Sequence, residues 1–140
     1  MAEQLFNQSF YGYWREPNKG SIPKISGVYC VYECTFNEAE KNVTLHKLIY
    51  IGESEDVNER ISNHEKHKDW EKHVRKGNQL CYNYTEVDSV HRERVEAAFI
   101  NSHEPPENTG YRDNFPFDKT SINTSGRAAL LKKTFTVIRK

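Results

Sequence analysis

Two segments rich in β-branched and aromatic residues, 27–36 (GVYCVYECTF) and 43–51 (VTLHKLIYI), lie on either side of the polar stretch 37–42. Such residues favour the pleated strand, and a polar stretch between two such runs marks a reversal of direction. The pair predicts a long antiparallel hairpin around which the rest of the chain has to pack. Gly52 ends the second strand. Asp56, followed three residues later by Glu59, forms a capping-box pattern that starts a helix running to about His67, with Val57, Ile61 and His64 on one face. A second helical segment over 68–76 stops at Gly77, and 79–87 (QLCYNYTEV) alternates as a third strand. Ser89 is placed to cap the next helix, whose stripe of Val95, Ala98, Phe99 and Ser102 ends before Pro105 and Pro106.

The order β-β-α-α-β-α predicts an α/β domain with a small three-stranded sheet, the antiparallel hairpin plus a third strand, flanked by helices. At 140 residues the chain has room for one domain. Residues 1–24, with Phe6, Phe10, Tyr11, Tyr13 and Trp14 followed by Pro17, Gly20 and Pro23, read as an aromatic arm packed on the core. Residues 25–110 read as the core itself. Residues 111–140 read as a basic extension of the same domain, with loop over 111–126 and a short helix and final strand in 127–140.

Charge and cysteine usage narrow the function classes. The chain carries 20 basic and 20 acidic residues, so bulk charge selects no partner. Their distribution is uneven, because residues 53–104 hold eight basic and twelve acidic residues while 105–140 hold seven and three. Arg127, Lys132 and Lys133 lie in a stretch with no acid beyond Thr124 and are candidates for phosphate contact. Cys30, Cys34 and Cys81 form neither a CxxC pair nor an even-numbered framework, which predicts reduced thiols and a cytoplasmic setting. No apolar run approaches the roughly 20 residues that span a bilayer, so no membrane role is expected.

Gly27-Val28-Tyr29 on the first strand and Tyr50-Ile51-Gly52 on the second resemble the paired tripeptides that name the GIY-YIG nuclease superfamily. The spacing beyond them matches as well. Arg60 lies ten residues after Tyr50, His64 four further on, Glu96 sits in an EAAFI sequence, and Asn108 follows Glu96 by twelve residues. Taken singly, the tyrosines read as ordinary strand aromatics, and Arg60, His64 and Glu96 as solvated helix-face groups. Their joint order is what carries the resemblance.

That resemblance implies a metal-dependent endonuclease hydrolysing phosphodiester bonds in nucleic acid, DNA first, with one Mg²⁺ or Mn²⁺ held by Glu96. The residue chemistry suits those tasks. A lone carboxylate matches a hard cation that keeps several waters. The Arg60 fork matches non-bridging phosphate oxygens, and at i and i+4 one helix face would present Arg60 and His64 together. Tyr29 is assigned the base or water-orienting role, Tyr50 a hydrogen bond to phosphate, His64 phosphate binding or proton shuttling, and Asn108 the orientation of Glu96 or its loop. Glu53, directly after the second tripeptide, is expected to turn away or cap the following helix. The alternative is a catalytically weak or inactive nucleic-acid-binding module on the same fold, with Glu53 as the reason. RNA is a further candidate substrate, and a zinc site among His64, His67, His73, Cys81 and His91 is disfavoured because the histidine and cysteine spacing matches no usual finger.

Overall fold

The hairpin expected from the two apolar runs is present, but it is one part of a larger sheet. A computed structural model describes residues 2–140. In chain order it contains β1 (Gln4–Arg15), a 3₁₀ turn (Glu16–Ser21), β2 (Gly27–Asn37), β3 (Asn42–Ser54), α1 (Val57–Ser62), α2 (His67–Glu71), β4 (Gln79–Glu86), α3 (Arg92–His103), β5 (Thr120–Gly126) and β6 (Thr134–Val137). All six strands join one mixed sheet in the order β3-β2-β4-β1-β5-β6, which curls into a half-barrel. The pairs are antiparallel except β1 with β5, which runs parallel. The class remains α/β, and the expected three-stranded sheet is corrected to six strands.

The missing strands were hidden by polar inward positions. In β1 the buried positions are Phe6, Gln8 and Phe10, so the apolar alternation breaks at its centre. Gln8 is accommodated because its amide donates to Thr85 Oγ1 at 2.8 Å. Similarly β5, TSINTSG, buries Thr120, Ile122 and Thr124, and both threonine hydroxyls are bonded, to the Asp118 carbonyl at 2.8 Å and the Lys132 carbonyl at 2.9 Å. Buried polar groups with such partners cost little, whereas from sequence they look like loop. Residues 120–126, expected as loop, are therefore a strand, and no helix forms between β5 and β6.

The central strands explain themselves. β2 has eight consecutive buried residues because β3 and β4 flank it and both its faces are covered. One face, with Cys30, Tyr32 and Cys34, packs with Val95, Ala98 and Phe99 of α3; the other, with Tyr29 and Val31, packs with Val57 and Ile61 of α1 and with Trp70. Asp56 caps α1 as expected, accepting from the Glu59 amide, but the helix ends at Ser62 rather than near His67, with Asn63 leaving helical geometry. α3 begins after His91 rather than at a Ser89 cap. Among the described residues no helix is long and apolar enough to cross a membrane.

Arg94 ties the outer strands to α3. It is 3% exposed, and its guanidinium donates to Thr120 Oγ1, Gln4 Oε1 and the carbonyls of Ala2, Asp118 and Lys119, at 2.8 to 3.3 Å. Removing it leaves several buried acceptors unmet, each worth about 1–3 kcal/mol. Arg94→Ala is expected to destabilise the fold by about 3 kcal/mol or more in denaturant unfolding, with Arg94→Lys recovering only a fraction because an ammonium lacks the planar fork.

Candidate active site

The two tripeptides face each other across the β2–β3 ladder, with Tyr29 paired to Gly52 and Gly27 to Ser54. Both glycines are dictated by close approach. The Tyr29 phenol lies over Gly52, where a Cβ would collide with its hydroxyl and ring carbons, and a Cβ on Gly27 would collide with the Thr85 carbonyl. Tyr29 is thereby pressed down beside Tyr50, ring centroids 6.3 Å apart, and the aromatic group continues through His64, 5.3 Å from Tyr50, to Trp70, 4.5 Å from His64.

Asn108 acts on the backbone. Its carboxamide accepts from the Ile51 amide at 2.9 Å and donates to the Ile51 carbonyl at 2.8 Å, completing the open side of the edge strand β3. Its side chain thus fixes the strand that carries Tyr50 and Gly52. Asn108→Ala would strand two buried backbone groups and is expected to cost about 2–4 kcal/mol in unfolding experiments.

Glu96, on α3, stands among acids. Burial, together with the Glu53 and Glu93 carboxylates, pushes its carboxyl up to about 8, although it accepts a hydrogen bond from the Glu53 backbone. Glu53 itself neither turns away nor caps α1; its carboxylate is 2.5 Å from Arg92 Nε. Glu93 accepts from the Tyr111 hydroxyl at 2.5 Å. The negative charge of Glu96 is felt by both site tyrosines. Tyr29 is held well above the ordinary phenol range by burial first and Tyr50 second, with Arg60 only partly offsetting, and Tyr50 is pushed up to about 12 by burial and Glu96. Both phenols are therefore proton donors at neutral pH.

Arg60 is already engaged. Its two terminal nitrogens meet the two Glu65 oxygens, each at 2.8 Å, and this pairing draws the Glu65 carboxyl down to about 2. His64 lies beyond the end of α1, so the shared helix face expected for Arg60 and His64 does not exist, yet Arg60 is near enough to disfavour its protonation. Burial and the Arg60 charge bring His64 down to about 4. Its Nδ1 accepts from the Lys66 amide, which places the proton on Nε2, and that buried Nε2–H has no acceptor in the protein.

The structure thus gathers Tyr29, Tyr50, Arg60, His64 and Glu96, with Asn108 behind the strand. It does not bring the basic C-terminal residues there. Lys132 is spent at the C-terminal end of α3, its ammonium on the Ser102 carbonyl and hydroxyl at 3.0 and 2.9 Å, while Arg127 and Lys133 line a cavity with Tyr13. Sequence reasoning missed Glu65, Arg92 and Tyr111. Arg92 carried a signal, one turn before Glu96 on the same helix; Glu65, five residues after Arg60 and beyond the helix end, carried none.

The residues fit a divalent cation. A carboxyl raised by burial and then by neighbouring carboxylates is a place where a positive charge would be favourable, and one or two hard oxygen donors suit an ion that keeps most of its waters. Among the described residues no group of three or more His, Cys, Asp or Glu side chains is arranged to hold a metal; Glu96, with Glu53 beside it, offers the carboxylates that such an ion would meet.

A model of the GIY-YIG catalytic domain matches residues 27–111, more than half of the chain, and the chain belongs to that family. Domains of this family are generally endonucleases, typically work with a divalent metal and act on nucleic acid. Among curated proteins and solved structures no match is found.

The Glu96 environment has a direct stability signature. A carboxyl that titrates near 4.5 unfolded and near 8 folded supplies stability below the lower value that is lost as pH rises through the upper one. In EDTA, Glu96→Gln is expected to melt a few degrees above wild type at pH of about 8.5, with the gap closing toward pH of about 4.5. A gap independent of pH would remove the crowded-carboxylate reading.

Proposed function

We propose that the protein is a metal-dependent endonuclease that hydrolyses phosphodiester bonds in DNA, in a cytoplasmic setting, using one Mg²⁺ or Mn²⁺ at Glu96. The observation that carries the reading is the raised Glu96 carboxyl facing two protonated tyrosines and an arginine fork across one small site. A cation bound at Glu96 supplies positive charge to the phosphoryl oxygens and acidifies coordinated water.

The chain's own residues do the positioning. Arg60 exchanges the Glu65 carboxylate for the scissile phosphate, an oxyanion of similar fork geometry. Tyr50 donates its hydroxyl hydrogen to a phosphate oxygen. Tyr29, protonated and clamped over Gly52, orients the attacking water rather than deprotonating it. The Nε2–H of His64 is unpartnered but covered, and its depressed pKa speaks against a shuttle that must be charged at neutral pH. The argument for an inactive binding module rested on Glu53, and its pairing with Arg92 removes much of that repulsion.

The test is cutting of supercoiled plasmid, single-stranded DNA and RNA with Mg²⁺, Mn²⁺ or EDTA. Wild type is expected to cut DNA only with metal, and Glu96→Gln to bind without cutting. Arg60→Ala is expected to lower kcat by roughly 10²–10³, as for loss of a charge clamp in the transition state. Glu65→Ala is expected to lower KM severalfold by freeing Arg60. Cutting by Glu96→Gln equal to wild type would overturn the assignment, and preference for RNA would change the substrate.

A further inference from the structure

Away from Glu96, the same face of the sheet that α3 covers carries a second basic feature. Phe36 continues the inward series Cys30, Tyr32 and Cys34 to the far end of β2. There a cavity of about 310 Å³ is lined by Arg15, Lys41 and Arg127 together with Phe36 and Tyr13, and a second, of about 620 Å³, shares Tyr13 and Arg127 and adds Lys133. Neither lining contains a carboxylate.

Three of the four cations are free of acids. The Arg15 guanidinium lies 3.7 Å over the Phe36 ring, a stacked arrangement that holds the group in place and leaves its donor edges open. Among the described residues Arg15, Arg127 and Lys133 make no ion pair, and Lys41 has only an exposed contact to Glu38 at 3.5 Å. In a chain with equal numbers of acids and bases, four cations around two adjoining cavities without an acid is a local excess of positive charge. Three of the four, Arg15, Arg127 and Lys133, lie outside residues 27–111, and Lys41 sits at the tip of the extended hairpin, so the groove is built by this chain's own additions to the catalytic domain.

We infer that this groove binds the backbone phosphates of the nucleic acid that flanks the scissile bond. The inference rests on the nuclease reading for its geometry. Phe36 lies seven residues beyond Tyr29 on β2, roughly 23 Å along the strand and on its other face, so a nucleic acid that meets both has to pass across the strand. The groove reads phosphate rather than base edges, because every charged residue in its lining is a cation.

The test is fluorescence anisotropy in EDTA with a labelled DNA duplex of about 24 base pairs, long enough to reach from site to groove. The proteins are wild type, Arg60→Ala and the triple change Lys41→Glu, Arg127→Glu and Lys133→Glu, all three exposed positions. A second triple change to Gln guards against misfolding by reversed charge, with circular dichroism melts for each. The Glu triple is expected to bind at least about tenfold more weakly and to lower the log Kd against log salt slope by about two to three. The Gln triple should show the same direction to a smaller extent. Duplex RNA in a parallel arm names the polymer: loss with both assigns the groove to phosphate in general, and loss with one assigns it to that one. Wild-type affinity and slope in a folded triple variant would overturn the groove, even if plasmid is cut. Loss of binding there, with no cutting by wild type, would keep the groove and remove the nuclease.

Discussion

The contact on which the site depends is the approach of the Tyr29 ring to the bare Cα of Gly52. It sets how near the two tyrosines come, and it works only because β3 is held in register by Asn108, whose carboxamide takes both polar backbone groups of Ile51. Two glycines and one asparagine, none of them able to do chemistry alone, thereby fix the positions of two phenols to which a substrate oxygen has to fit. The wider sheet supports this by burying β2 on both faces, so that the strand carrying Tyr29 is rigid while β3 remains at the edge.

The electrostatics are arranged for a ligand. Glu96 is crowded by carboxylates that raise it, His64 is neutral with a donor unmet, and both tyrosines hold their protons. In the proposed nuclease a cation beside the acids would relieve the crowding at Glu96. Elsewhere most buried polar groups, such as Arg94, Gln8 and Thr120, have their partners, with Gln79 Oε1 and Asn83 Oδ1 as exceptions.

How much was legible in the sequence follows from where the apolar signal is clean. The hairpin, the third strand and the α1 cap could be read because β-branched, aromatic and capping residues stand at the required spacing. Tyr29, Tyr50, Arg60, His64 and Glu96 could be read through family spacing, although the shared helix face for Arg60 and His64 fails because Ser62 and Asn63 end α1 early. β1 and β5 could not be read, because Gln8, Thr120 and Thr124 point inward and are satisfied by residues distant in sequence. The Arg60–Glu65 pairing is local in sequence but could not be read for a different reason: it spans a helix end, where no fixed period predicts which side chains meet.

That pairing makes the site a carrier of its own counterion. A small free anion has to compete with a carboxylate that is tethered a few residues away, and so has a high effective concentration, and it gains little in the exchange. A phosphodiester held at other points along a polymer competes on equal terms. In the proposed nuclease the site would thus be quiet toward inorganic phosphate and free nucleotides, and polymer length itself would become part of what it recognises.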